Sequence, residues 1–134
     1  MTELRQWDMA MHRLIMGPSG TVTPKPISDD FYAELDQDFG DFSGHSLVAV
    51  HHFEDSWSTW EMHPEGDEIV YLISGNIDFA LKLDGKEKIL HVDNPGATIV
   101  IPKGIWHTAR PRQQTSMLFI TPGEGTLNAE QPDV

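Results

Sequence analysis

Trp60–Gly75, WEMHPEGDEIVYLISG, is the stretch whose reading decides the fold. It holds His63, then the turn-forming pair Gly66-Asp67, then Glu68–Ile73, an apolar run with the composition of a strand. Residues two apart on an extended chain project to one side, so His63 and Glu65 share a face. Glu68 opens the following strand, close to where they project. Gly96–Pro111, GATIVIPKGIWHTARP, has a related build: a turn at Pro102-Lys103-Gly104, then His107 at the start of a strand. In one small β domain the two segments bring His63, Glu65, Glu68 and His107 to one point. Imidazole nitrogens with carboxylate oxygens are a mixed donor set suited to divalent Fe, Mn, Ni, Co or Zn and poor for Cu(I).

Outward from these segments the chain continues to read as β-structure. Ser46–Phe53 and Ser56–Met62 are rich in Val, Trp and Thr. Ile77–Leu83 alternates, with Ile77, Phe79, Leu81 and Leu83 on one face and Asp78, Ala80 and Lys82 on the other. Asp84-Gly85 predicts a type I′ hairpin turn into Lys86–Val92. A second turn at Asp93-Asn94-Pro95-Gly96 precedes strands over Thr98–Ile101, Trp106–Arg110 and Thr115–Thr121. Many short strands with frequent turns predict an all-β antiparallel sandwich or barrel. Upstream, a short strand or arm is expected near Met11–Met16, then an irregular crossing punctuated by Gly17, Pro18, Gly20, Pro24 and Pro26. Ser28-Asp29-Asp30 opens one short helix over Asp29–Leu35, ended by the Asp/Gly-rich segment after it. The expected division within one domain is an arm and helix over 1–45, a barrel core over 46–121 and a tail over 122–134, loose or paired as a surface strand.

Bulk properties narrow the function. The 134 residues are 39% hydrophobic and 22% charged, the balance of a folded domain. A net charge of −12, from 21 acidic and 9 basic residues, argues against nucleic acid and against an anionic membrane surface. With no cysteine, disulfides, thiolate metal sites and a Cys nucleophile are excluded, and a reducing cytoplasm fits. Arg5, Asp8, His12 and Arg13 interrupt the N-terminal apolar residues, so no signal peptide is read there. No phosphate-binding glycine pattern or serine nucleophile elbow is present.

The two segments resemble the paired motifs of the cupin superfamily. Its first motif runs Gly, His-x-His, Glu, six residues, Gly. Here His63-Pro64-Glu65, Glu68 and Gly75 stand in for it, with Trp57 at the first Gly, Glu65 at the second His and a two-residue gap before Glu68 where three or four are usual. The second motif matches at Gly96, Pro102, Gly104 and His107, with Pro111 where Asn is usual. The resemblance covers about residues 46–121. It implies a double-stranded β-helix, a jelly-roll barrel, with a divalent metal (Fe, Mn, Ni or Zn) held by His63, Glu68 and His107. It leaves two roles for Glu65, a fourth ligand or a catalytic base beside the metal. It implies a small-molecule enzyme of dioxygenase or isomerase type, or else a non-catalytic ligand-binding sensor, and a homodimer.

Three further expectations concern residues around the site and on the outer face of the barrel. His51 and His52 are adjacent on a strand, so one of them faces inward. Trp60, Tyr71, Trp106, Met117 and Phe119 read as core or subunit contact. If Glu68, Val70 and Leu72 face the barrel, Ile69, Tyr71 and Ile73 form an outer apolar stripe, which needs cover from the N-terminal segment or a second subunit.

Overall fold

The computed structural model describes residues 4–132. In chain order the elements are β1 (His12–Met16), β2 (Val22–Pro26), α1 (Phe31–Asp38), β3 (Ser46–Phe53), β4 (Trp60–Met62), β5 (Glu68–Ser74), β6 (Ile77–Leu83), β7 (Lys86–Val92), β8 (Thr98–Ile101), β9 (His107–Pro111), β10 (Thr115–Pro122) and β11 (Leu127–Ala129). They form two antiparallel sheets, one in the order β2-β1-β3-β10-β5-β8 and the other β11-β4-β9-β6-β7. This is the all-β barrel expected from the strand pattern, with one short helix.

Alternation explains the core. Val70 and Leu72 on β5, Ile77 and Phe79 on β6, and Met117 on β10 point between the sheets and are fully buried, joined by Ile101 and Ala109. Burying each large side chain contributes roughly 1.5–3 kcal/mol. A second cluster, Ile15, Phe31, Leu35, Phe42, Leu47 and Ala49, lies where α1 packs on the larger sheet. Phe31 and Leu35 are four apart and so share the buried face of α1. The helix starts two residues later than expected and runs to Asp38; Asp30 caps it without a side-chain hydrogen bond, and Ser28 bonds Glu34 instead, at 2.6 Å.

One strand, β2, escaped the sequence reading for a physical reason, and the tail takes the paired form that the sequence left open. β2 carries Pro24 and Pro26, which lack an N–H; it is tolerated because β2 is an edge strand. β11 is short and polar, and pairs with β4 from the tail. Of the expected strand Ser56–Met62 only Trp60–Met62 forms. The turn reading at Asp84-Gly85 agrees with positive φ at both, 53° and 74°. Gly75 has φ of 121°, and a Cβ there would lie 2.4 Å from Thr115 Oγ1, so the strands can approach this closely only at glycine.

Among the described residues, the N-terminal arm does not cover the outer stripe. β1 pairs with β3 and extends the larger sheet sideways. Ile69, Tyr71 and Ile73 remain exposed on the outer face, as the alternation predicts. Leu118 and Ile120 lie opposite Tyr71 and Ile69, and Val50 and Val48 opposite those in turn, so the apolar stripe widens across three strands.

Candidate metal centre

Three strands and a turn assemble the site. β4 brings Glu61, which is the register partner of His107 at the start of β9. His63 follows β4, and Glu68 opens β5. Asp67 ties the two motifs together by accepting a hydrogen bond from the Lys103 backbone N–H at 2.9 Å. His63, Glu68 and His107 are each no more than 4% exposed. Glu68 Oε1 lies 3.2 Å from His107 Nε2, and Glu68 Oε2 lies 3.4 Å from His63 Nε2.

The hydrogen bonds around the cluster fix its tautomers. Thr126 spends its one O–H on the Gly123 carbonyl, at 3.0 Å. It therefore accepts from His63 Nδ1–H, at 2.9 Å. His107 Nδ1 faces the Ile105 carbonyl at 3.1 Å, which also only accepts. In the neutral form each ring would thus turn an Nε2 lone pair inward. The Thr121 hydroxyl donates to Glu68 Oε2, leaving Glu68 Oε1, His63 Nε2 and His107 Nε2 buried without a hydrogen-bond partner. Lone pairs facing lone pairs repel, so the arrangement calls for positive charge between them, a proton or a cation. The donor atoms of Glu61, His63 and His107 all lie within 4.8 Å of one another, near the span that ligands of one ion occupy.

Ionisation tells the same story. Burial pushes the Glu68 carboxyl up, but the imidazoles of His107 and His63 outweigh it and hold it at about 2. For His107 burial acts downward, and Glu68 outweighs it, so the ring binds its proton more tightly than a free histidine. Burial and then the charge of Glu68 raise the Glu61 carboxyl.

The structure brings together three of the four expected side chains and sets Glu61 beside them. His63, Glu68 and His107 come together as the motifs suggest. Glu65 does not: it is exposed, stands in the turn after β4 and does not line the cavity. The chain has already left the strand at Pro64, so the two-residue periodicity that put Glu65 beside His63 does not apply there. It applies backwards, to Glu61, which is two residues before His63. The spacing held the signal: counting Glu61-Met62-His63 as the paired position leaves four residues before Glu68, whereas His63-Pro64-Glu65 leaves two. Thr121 and Thr126 carried no sequence signal, because their roles depend on β10 and the tail folding back.

A cavity of about 820 Å³ opens over the cluster. Phe53, Trp57 and Phe119 form an aromatic wall, with ring centroids 6.0–6.5 Å apart. Tyr32 and Asp36 reach it from α1. Of the two adjacent histidines, His51 faces inward against Phe119, at 5.4 Å, while His52 is exposed and bonds the Ser116 hydroxyl at 2.6 Å. Burial, and then the charge of Arg13, push the His51 imidazole down to about 4.

A family model, Cupin domain, matches residues 50–128. This chain is a cupin. Its relatives include the acireductone dioxygenase of Rhodopseudomonas palustris strain TIE-1, 27% identical over a 128-residue alignment covering 85% of this chain and 76% of that protein. Among solved structures, recombinant oxalate oxidase in complex with glycolate superposes with a TM-score of 0.51 at 20% identity, over 61% of this chain and 45% of the other. Bacillus subtilis oxalate decarboxylase, described with Mn(II) centres, gives 0.51 at 18% identity, over 63% and 23%. The cupin spans less than half of either oxalate enzyme chain it matches. At these identities the two structures support the barrel fold alone.

Proposed function

We propose that this cupin is a divalent-metal-dependent enzyme acting on a small oxygen-bearing molecule, of dioxygenase or isomerase type. The observation that carries the reading is the set of buried, partnerless acceptors, His63 Nε2, His107 Nε2 and Glu68 Oε1, aimed at one another. With Glu61 they make two imidazoles and two carboxylates, a donor set that fits Fe(II) or Mn(II). When bound, such an ion supplies Lewis acidity to a carbonyl or hydroxyl oxygen. The chain's own residues do the rest. Thr126 and the Ile105 carbonyl hold the ring tautomers, Thr121 holds Glu68, and the aromatic wall excludes water from one side of the cavity. The dioxygenase relative supports the first reaction type.

The experiment is a panel of α-hydroxyketones offered to Fe(II)- or Mn(II)-loaded protein, with oxygen uptake and product NMR read together. Oxygen uptake with substrate loss supports a dioxygenase, and rearrangement without uptake an isomerase. Binding without conversion would favour a sensor.

The proposed partner is a second copy of the chain. The outer stripe, Ile69, Tyr71, Val100, Leu118 and Ile120, is apolar and lies on the sheet face that neither α1 nor the arm covers. Neither nucleic acid nor a membrane is proposed as a partner, given the net charge of −12. No helix among the described residues is long and apolar enough to cross a membrane. A reducing cytoplasm is the proposed location, on the absence of cysteine.

A further inference from the structure

The charge lining the cavity restricts what can enter it. Among the described residues three carboxylates reach the wall, from Asp36, Glu61 and Glu68, and no lysine or arginine does. The cation closest in influence, Arg13, stands behind the wall without lining it: it donates to the Tyr32 hydroxyl at 3.0 Å and lies 4.8 Å over the Phe31 ring. Two histidines besides His63 line it as well: His51, packed on Phe119 and held neutral at pH 7 by burial, and His52, exposed at the edge and bonded to the Ser116 hydroxyl. Glu61 and Glu68 together cancel both charges of a divalent ion, so a loaded centre offers an incoming anion no net attraction. Asp36 then repels it. The size points the same way. At about 820 Å³ the cavity is in the ~300–1,000 Å³ range of pockets for drug-sized ligands, and its far wall is aromatic.

We propose that the cavity takes an uncharged or cationic ligand with an oxygen-donor end for the Glu61–His63–Glu68–His107 centre and an apolar end for Phe53, Trp57 and Phe119, and that it rejects small carboxylate anions. This rests on the metal reading above and adds the ligand class. It also separates the chain from the oxalate enzymes whose barrel it shares. Glu61 is the specificity-determining residue: it lends the centre the negative charge that an imidazole at that place would not.

The test uses a matched pair of probes, glycolate and its neutral amide, glycolamide, which differ little except in charge. Mn(II) uptake by the metal-stripped chain is measured first by calorimetry. Each probe is then titrated into the loaded wild type, Glu61→Gln and Asp36→Asn, with binding read by Mn(II) EPR and water-proton relaxation. The expectation is that the wild type binds glycolamide at least as tightly as glycolate. Glu61→Gln should shift the ratio toward glycolate by roughly tenfold or more, and Asp36→Asn by less, since its charge acts through solvent from the rim. Asp36→Asn should also leave Mn(II) uptake unchanged, which checks that the variant is folded. Wild-type preference for glycolate by tenfold or more would overturn the proposal. So would an unchanged ratio in both variants, or no binding of either probe to any of the three proteins. Failure to take up Mn(II) would sink the metal reading alone. The same pair titrated into the metal-free cavity, followed by NMR and judged by the same criteria, then decides the charge proposal separately.

Discussion

The two halves of this barrel share strands β5 and β10 and have opposite interiors. In one half β5, β6 and β10 contribute Val70, Leu72, Ile77, Phe79 and Met117, all fully buried and packed on one another. In the other, β5 begins with Glu68, β10 continues to Phe119 and Thr121, and a cavity of about 820 Å³ replaces close packing. The packed half holds the sheets together. The hollow half keeps three buried acceptors without partners, an arrangement that costs stability in the free chain. The lesson is a division of labour along single strands: stability at one end, ligand chemistry at the other.

That contrast can be broken most sharply in the packed half. Phe79→Ala should cost about 3–5 kcal/mol in urea unfolding, while the fraction that stays folded binds metal as before. A parallel loss of metal affinity in that folded fraction would show that the halves are not separable. In the hollow half the effects should fall on binding. Glu61→Gln should weaken metal binding by roughly 10–100-fold, at least what an outer partner is worth, and Thr126→Val by a similar factor through loss of the His63 tautomer. Glu65→Gln should change it less than twofold, since Glu65 is exposed and away from the cluster. Equal losses in Glu61→Gln and Glu65→Gln, measured by calorimetry, would remove the distinction drawn between them.

A smaller effect sharpens the comparison through pH. His51 is depressed from 6.5 to about 4 in the folded chain. Between those values the unfolded chain binds the extra proton, so its contribution to stability is complete above pH 6.5 and is lost as pH falls toward 4. The Glu68 contribution, from 4.5 down to about 2, fails at lower pH still. His107, raised, acts oppositely and stabilises the metal-free chain below 6.5. His51→Gln should therefore flatten the fall of the metal-free melting temperature between pH 6.5 and 4. An unaltered profile would mean that His51 is not held neutral by the cavity. Smallest at the level of the single chain is assembly. Light scattering should give a mass near twice 15.1 kDa, and Tyr71→Lys should halve it without moving metal affinity. A wild-type monomer would end the dimer proposal and leave the centre untouched.

Much of this was legible in the residues. Alternation placed Ile77–Leu83 at its observed bounds, and the Asp84-Gly85 turn placed Lys86–Val92 after it. The outer stripe followed from the same period, because one strand face cannot be read without the other. His63, Glu68 and His107 were visible because turn signals stand next to them. Glu61 was hidden: it lies on a three-residue strand whose start the composition of Ser56–Met62 blurred, and Glu65 offered the same spacing on the other side of His63. Long-range partners such as Thr126, 63 residues from His63, leave no local trace at all.

The most direct test of the central claim is metal uptake by chain purified without a metal column, stripped with chelator and titrated with Mn(II) or Fe(II) at pH 7, with calorimetry and elemental analysis read together. The account predicts a single ion per chain, with affinity reduced by roughly 100-fold or more in His63→Ala and in His107→Ala. No uptake, or uptake that both substitutions leave unchanged, would contradict it.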